Sequence, residues 1–258
     1  MDKIKIAFFD IDGTLIDMNR KVISEKMVET LIRLKDNGIK ICIATGRTPV
    51  TLPKFTDVEF DAFLTFNGSY CFDKSHSIFS NPIPAQDVKK IIENAASINR
   101  PVSLATKKRL AANGRDKDLI EYYSFVKLDV EVADDFESVM DEEIYQIMMG
   151  CREEEYAQVM KDVHNARITA WWERAVDIIP VGSGKGMGVK KILEYYNLKE
   201  FEAIAFGDGN NDIELLQAVG HGVAMENASK QLKAIADDIC GHVAEDGIYH
   251  YCIEHGLI

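Results

Sequence analysis

The chain has 258 residues, 47% hydrophobic and 28% charged, enough apolar content for a folded core of one large or two modest domains. Its formal charge of −12 argues against a nucleic-acid or anionic-membrane surface, each of which needs a basic footprint. No run reaches the roughly 18 uninterrupted apolar residues of a membrane span, the N-terminal stretch lacks a signal-peptide h-region, and five scattered cysteines without a CxxC pair suit free thiols, so the expected location is the cytoplasm.

The first third alternates in the way that builds a parallel sheet. IKIAFFD predicts a strand ending on Asp10, and a helix follows from about Ser24 to Lys35, with Ser24 as N-cap and Asn37-Gly38 as its stop. Strand IKICIAT, a short helical stretch after Pro49 and strand DAFLTFN come next, and YCFDKSHSIFS reads as a hairpin turning at Asp73-Lys74. From about Pro82 to Pro180 the texture changes. AQDVKKIIENAAS predicts a helix, PVSLAT and RLAA a strand and its return, Leu119 to Phe125 a helix, EEIYQIMMG a strand, EEEYAQVMKDV a helix and RITAWW-ER-AVDIIP a hairpin. The acidic runs VADDFESVMDEE and CREEEY predict solvated faces. The first grammar then resumes with helix MGVKKILEYYN, strand EAIAFGD, helix NDIELLQAVG, strand HGVAM, helix ASKQLKAIA and a last helix near GIYHYCIEHG. The expected fold class is α/β: a Rossmann-like parallel-sheet core from residues 1–81 and 182–258, with an α+β domain inserted at 82–181.

Four signals fall at strand ends or strand-to-helix turns of that one sheet, where open α/β folds bind ligands. Asp10 and Asp12, two apart on an extended segment, point the same way and crowd two carboxylates together, which is unfavourable unless a cation sits there. Thr45 closes the second strand, followed by Gly46 and Arg47. Lys185 lies in a glycine-rich turn opening a helix, and Asp208 ends a strand with Asn210, Asn211 and Asp212 after it. Taken singly, each has a bland reading as a turn former, surface lysine or helix cap; jointly they converge. GSGKG is not a Walker loop, because Ile179 stands where the first Gly belongs and Gly186 where Ser or Thr belongs; GxGxxG fails at Met187 or Val189.

DIDGTL at Asp10, ATGR ending at Arg47, Lys185 in PVGSGKG and GDGNND at Gly207 to Asp212 resemble the four ordered motifs of the haloacid dehalogenase (HAD) superfamily. FNGS at Phe66, AMENAS at Ala224 and EDGI at Glu245 resemble its Cof-type sugar phosphatase branch, in which a large α+β cap is inserted between the second and third motifs and carries substrate specificity. The resemblance implies that Asp10 is the nucleophile and forms an aspartyl-phosphate, and that Asp12 protonates the departing alcohol and then activates water. It implies that Thr45, Gly46, Lys185 and Asn211 hold the phosphoryl group. It also implies that Mg²⁺ is bound by Asp10, the main-chain carbonyl of Asp12, Asp208 and Asp212, the last directly or through water. The partner expected is a small phosphorylated metabolite, with no nucleic acid or membrane; the sequence leaves the oligomeric state open, a monomer among the options.

A phosphomutase of the same fold is the main alternative, and a receiver-like module or a non-catalytic phosphate-binding protein is less favoured; ion-pumping ATPases share DxxGT but need membrane helices. In the inserted segment, Trp171 and Trp172 are expected in core packing, with stacking on a substrate ring as the alternative for one of them. Arg109, Arg167 and Arg174 are expected at the surface, with a second anionic substrate group as the alternative partner, and none of the six histidines is assigned chemistry.

Overall fold

Buried apolar strands alternating with capped helices organise the chain in the computed structural model, which describes residues 4–20, 22–125, 128–170 and 172–258. Trp171 and the first three residues of the N-terminal stretch, both weighed above, lie outside the described residues. The first stretch runs β1 (Ile6–Phe9), α1 (Glu25–Asp36), β2 (Lys40–Ala44), β3 (Ala62–Thr65), β4 (Tyr70–Phe72) and β5 (Ser77–Ser80). The middle stretch runs α2 (Ala85–Ser97), β6 (Val102–Ala105), β7 (Leu110–Ala112), α3 (Lys117–Ser124), α4 (Phe136–Val139), β8 (Gln146–Gly150), α5 (Tyr156–Val159), β9 (Ala166–Thr169) and β10 (Ala175–Pro180). The last runs α6 (Lys185–Tyr196), β11 (Ala203–Gly207), α7 (Ile213–Gln217), β12 (His221–Ala224), α8 (Lys230–Ile235), β13 (Asp238–Ile239) and α9 (Gly247–Glu254). These elements group into two compact units, one of Met1–Gly46, Pro53–Ser80 and Gly184–Ile258, the other of Arg47–Leu52 and Asn81–Ser183.

The first unit is built on an eight-stranded sheet in the order β13-β12-β11-β1-β2-β3-β4-β5, parallel from β13 to β3 and antiparallel beyond. Its central strand β1 is fully buried, as a parallel strand covered on both faces must be, and Phe9 stacks on Phe206 with ring centroids 5.3 Å apart. Register decides what happens at the carboxyl edge. Phe9 is level with both Phe206 and Ile43, so β11, β1 and β2 run out together and deliver Asp208, Asp10 and Thr45 to one edge. Ser24 caps α1, its hydroxyl accepting from Met27 N at 3.0 Å.

The second unit has a five-stranded antiparallel sheet in the order β7-β6-β8-β10-β9. One face packs an apolar core of Val102, Leu104, Ile147, Met149, Val176 and Ile178 against α2, α4 and α5 residues. The alternate residues, including Ser103, Gln146, Asp177 and Thr169, occupy the other face. Arg109 pairs with Asp135 at 2.8 Å and Glu142 at 2.9 Å near the surface. Trp172 is half-buried rather than in the core, edge-on to Phe125 and beneath the Arg174 guanidinium.

Two local expectations are corrected and one element is added. The run VADDFESVMDEE is not wholly solvated, because Phe136 and Val139, three apart on α4, turn inward to the core. The helix expected over EEEYAQVMKDV shrinks to α5 behind a 3₁₀ turn, and the chain leaves helical geometry where Asp162 takes φ +59°. Strand β13 goes unread in sequence because two residues carry no periodicity. The five cysteines are buried free thiols, and among the described residues no helix is long and apolar enough to cross a membrane.

Candidate active site

The site lies within the first unit, at the carboxyl edge where β11, β1 and β2 end. Asp10 follows β1 with its own N–H donating to Phe206 O at 3.1 Å, which ties the residue to the neighbouring strand. Lys185, the first residue of α6, is 1% exposed and sends its ammonium to Asp10 Oδ1 at 2.6 Å and Asp212 Oδ1 at 2.5 Å. A buried ammonium between two carboxylates is a charge-assisted arrangement that neither sign could sustain alone. Asp212 reaches this position from the turn after β11. Its second oxygen accepts from the N–H groups of Asp208 and Gly209, each at 3.0 Å, so this carboxylate folds its own turn while orienting Lys185.

Asp208 completes the group. One oxygen from each of Asp10, Asp208 and Asp212 lies within 4.8 Å of the others. The Thr14 hydroxyl donates to Asp208 Oδ1 at 2.9 Å, fastening the Asp12 turn to the end of β11. That turn bonds to itself, Gly13 N to Ile16 O at 2.9 Å and Ile16 N to Ile11 O at 2.8 Å, with Asp12 half-buried on it. Gly13 has φ +90°, and a Cβ there would collide with the Asp208 carboxylate, so glycine is required twice over.

The other predicted positions are near at hand. Thr45 is buried at the end of β2, its N–H on Leu64 O at 2.9 Å and its carbonyl accepting from Asn67 N at 3.1 Å. A Cβ on Gly46 would stand 2.9 Å from Asn67 Oδ1, and Asn211 Nδ2 is 3.4 Å from that same oxygen, so Asn67 lies between these two positions. Arg47, by contrast, groups with the second unit, where its Nη1 donates to Thr51 O at 3.0 Å. Thr14, Asn67 and Asn227 carry no role in the sequence expectations, although each falls in a quoted motif; Asn227 Nδ2 donates to Gly13 O at 2.7 Å.

Burial dominates the electrostatics. It pushes the Asp10 carboxyl well above its usual range; Lys185 opposes this, and Asp212, Asp208 and Asp12 reinforce it. Asp208 is pushed up to about 7, first by burial and then by the Asp212 charge, against the Thr14 hydrogen bond. For Lys185 burial works downward, but Asp10 and Asp212 outweigh it and hold the ammonium charged above the usual lysine range. Three carboxylates against one ammonium leave a formal −2 when all are ionised, an excess that a divalent cation would offset. Chemically, the site offers a carboxylate beside a fixed positive charge and a set of hard oxygen donors.

Comparison with known proteins agrees with this geometry. The sequence profile of haloacid dehalogenase-like hydrolases matches residues 7–252. The 5-amino-6-(5-phospho-D-ribitylamino)uracil phosphatase YitU of Bacillus subtilis is 31% identical over 260 residues, covering 95% of each chain. Among solved structures, BT1666 of Bacteroides thetaiotaomicron, described among phosphatases of the HAD superfamily, superposes with a TM-score of 0.91 at 32% identity over 99% of this chain and 96% of its own. The HAD subclass IIB sugar phosphatase BT4131 superposes with a TM-score of 0.88 at 29% identity over 98% of this chain and 100% of its own. With four motif regions meeting at one sheet edge and a profile match over nearly its whole length, the chain belongs to the haloacid dehalogenase-like hydrolases.

Proposed function

We propose that the protein is a Mg²⁺-dependent phosphatase of small phosphomonoesters, sugar phosphates foremost, working through an aspartyl-phosphate on Asp10. The observation that carries this reading is Asp10 itself, at a strand end, 2.6 Å from a buried ammonium and grouped with two further carboxylates. The donor set fits a hard divalent ion, being all oxygen and in negative excess. Asp10, the Asp12 carbonyl and Asp208 would hold Mg²⁺, with Asp212 direct or through water; when bound, the ion supplies neutralisation of phosphoryl charge.

The remaining steps belong to the chain. Phosphoryl transfer demands in-line positioning and charge stabilisation more than covalent ingenuity. Thr45, the Gly46 N–H and Asn211 hold the phosphoryl oxygens while Lys185 balances their charge and favours the ionised form of Asp10 against its burial. An Asp10 oxygen attacks phosphorus, the P–O bond to the leaving group breaks, and Asp12 gives its proton to the departing oxygen. Asp12, now a carboxylate, takes a proton from water, which attacks phosphorus, frees Asp10 and releases inorganic phosphate.

Asp12→Ala is expected to cut kcat on the order of a hundredfold or more while leaving Mg²⁺ affinity largely intact, since the proposed ligand there is main chain. A collapse of metal affinity with a surviving metal-saturated rate would assign Asp12 to the wrong task.

A pH signature follows from Asp208 and Asp10. Burial holds both carboxyls above the ordinary carboxylate range of about 4, Asp208 at about 7, so these groups favour the metal-free fold at low pH and oppose it increasingly as pH rises through that window. Binding a cation requires both to be ionised. The gain in melting temperature on adding Mg²⁺ over EDTA should therefore grow between about pH 5.5 and about pH 8; a gain independent of pH would mean that the ion binds elsewhere.

The second unit is the reader of the leaving group in this account. The polar face of its sheet carries Gln146, 1% exposed with no hydrogen-bond partner for Oε1 among the described residues, and Asp177, which accepts from Tyr122 Oη of α3 at 2.6 Å. A panel of phosphorylated metabolites assayed with and without Mg²⁺ tests the whole reading. Free phosphate should be released, most rapidly from sugar phosphates; an isomerised sugar phosphate without free phosphate would identify a mutase instead.

A further inference from the structure

We propose that Asn227 is a positioning residue for the catalytic turn, fixing the Gly13–Thr14 peptide and thereby the adjoining Asp12. The inference rests on the phosphatase reading and adds a residue which that reading does not use. The internal bonds of turn 11–16 run from Gly13 N to Ile16 O and from Thr14 N and Ile16 N to Ile11 O, and none uses the Gly13 carbonyl. Asn227 supplies the donor for that carbonyl at 2.7 Å, across 214 residues of sequence. Its Oδ1 accepts from Val243 N at 3.1 Å, so both ends of the amide are engaged and its plane cannot turn without losing a bond.

The strut has a firm base. Ala228 N donates to Met225 O and Ser229 N to Asp208 O, each at 2.9 Å, so the turn bearing Asn227 is bonded to the residue that receives Thr14 from the other side. Asn227 and Asp208 thus grip the Gly13–Thr14 segment at two points, one through the Gly13 carbonyl and one through the Thr14 hydroxyl. A carboxylic acid that must meet a departing oxygen within hydrogen-bond reach tolerates little drift, and a displacement of about 1 Å can cost about a hundredfold in rate.

The test uses Asn227→Ala and Asn227→Asp in the full chain. The aspartate keeps the shape and the acceptor toward Val243 but as a carboxylate has no N–H for Gly13, and it carries the test should the alanine variant not fold. Single-turnover and steady-state rates are measured on a sugar phosphate and on nitrophenyl phosphate, together with amide hydrogen exchange. In both variants kcat is expected to fall at least about tenfold with KM within about threefold. The single-turnover loss is expected to be larger for the sugar phosphate, whose alkoxide needs a proton from Asp12, than for nitrophenyl phosphate, whose phenolate does not. Exchange at Gly13 and Ile16 should quicken while β1 and β11 are unchanged. A purely structural residue would lower the amount of active enzyme and slow both substrates alike; that result, or unchanged exchange in turn 11–16, overturns the proposal. A wild-type protein that turned over neither substrate would refute the phosphatase reading alone, and the exchange result would still decide the positioning role.

Discussion

Asp10→Asn is expected to lower turnover by a factor on the order of 10⁴ or more, since it removes the attacking oxygen and leaves every other group in place. Asparagine has the same shape, and Lys185 retains Asp212 at 2.5 Å, so the variant should fold with its ammonium still paired. Substrate should still bind, because Thr45, Gly46, Lys185 and Asn211 are untouched. Phosphate release and substrate binding, measured together on the purified variant, separate loss of chemistry from loss of the site. Retained phosphatase activity would defeat the nucleophile assignment.

Lys185→Met should damage stability as well as rate. Methionine approximates the length of the lysine stem but leaves Asp10 and Asp212, 6% and 0% exposed, without their common counter-charge. Removing one partner of a buried charged group costs about 3–5 kcal/mol, and carboxylates stranded in this way recover part of it by taking up protons. Chemical denaturation of the metal-free variant should therefore show a deficit of that order at neutral pH, narrowing as pH falls. Loss of charge stabilisation during phosphoryl transfer should also cut kcat by about 10²–10³. Wild-type stability and rate in this variant would mean that the ammonium between the two carboxylates is incidental.

The legible parts of the site were those tied to strand ends. Asp10, Thr45 and Asp208 each close an apolar run, and parallel strands in register bring such ends to one edge whatever their distance in sequence. Lys185 was readable because a glycine-rich turn opening a helix after a strand is a recurrent anion-facing geometry. Thr14, Asn67 and Asn227 were not readable as functional groups. Their long-range hydrogen bonds span 194, 144 and 214 residues, and no periodicity or spacing encodes a contact of that kind. In the second unit, α4 was hidden because acidic neighbours outnumber the two residues, Phe136 and Val139, that face its core.

Trapping the covalent intermediate tests the central claim most directly. The wild-type enzyme is quenched during turnover, any acyl-phosphate is reduced with borohydride, and the modified residue is located by peptide mass spectrometry. Homoserine at position 10, formed only when substrate and Mg²⁺ are present and absent from Asp10→Asn, is the predicted result. Reduction at another carboxylate, or rapid turnover that leaves residue 10 an unmodified aspartate at every quench time, would contradict it.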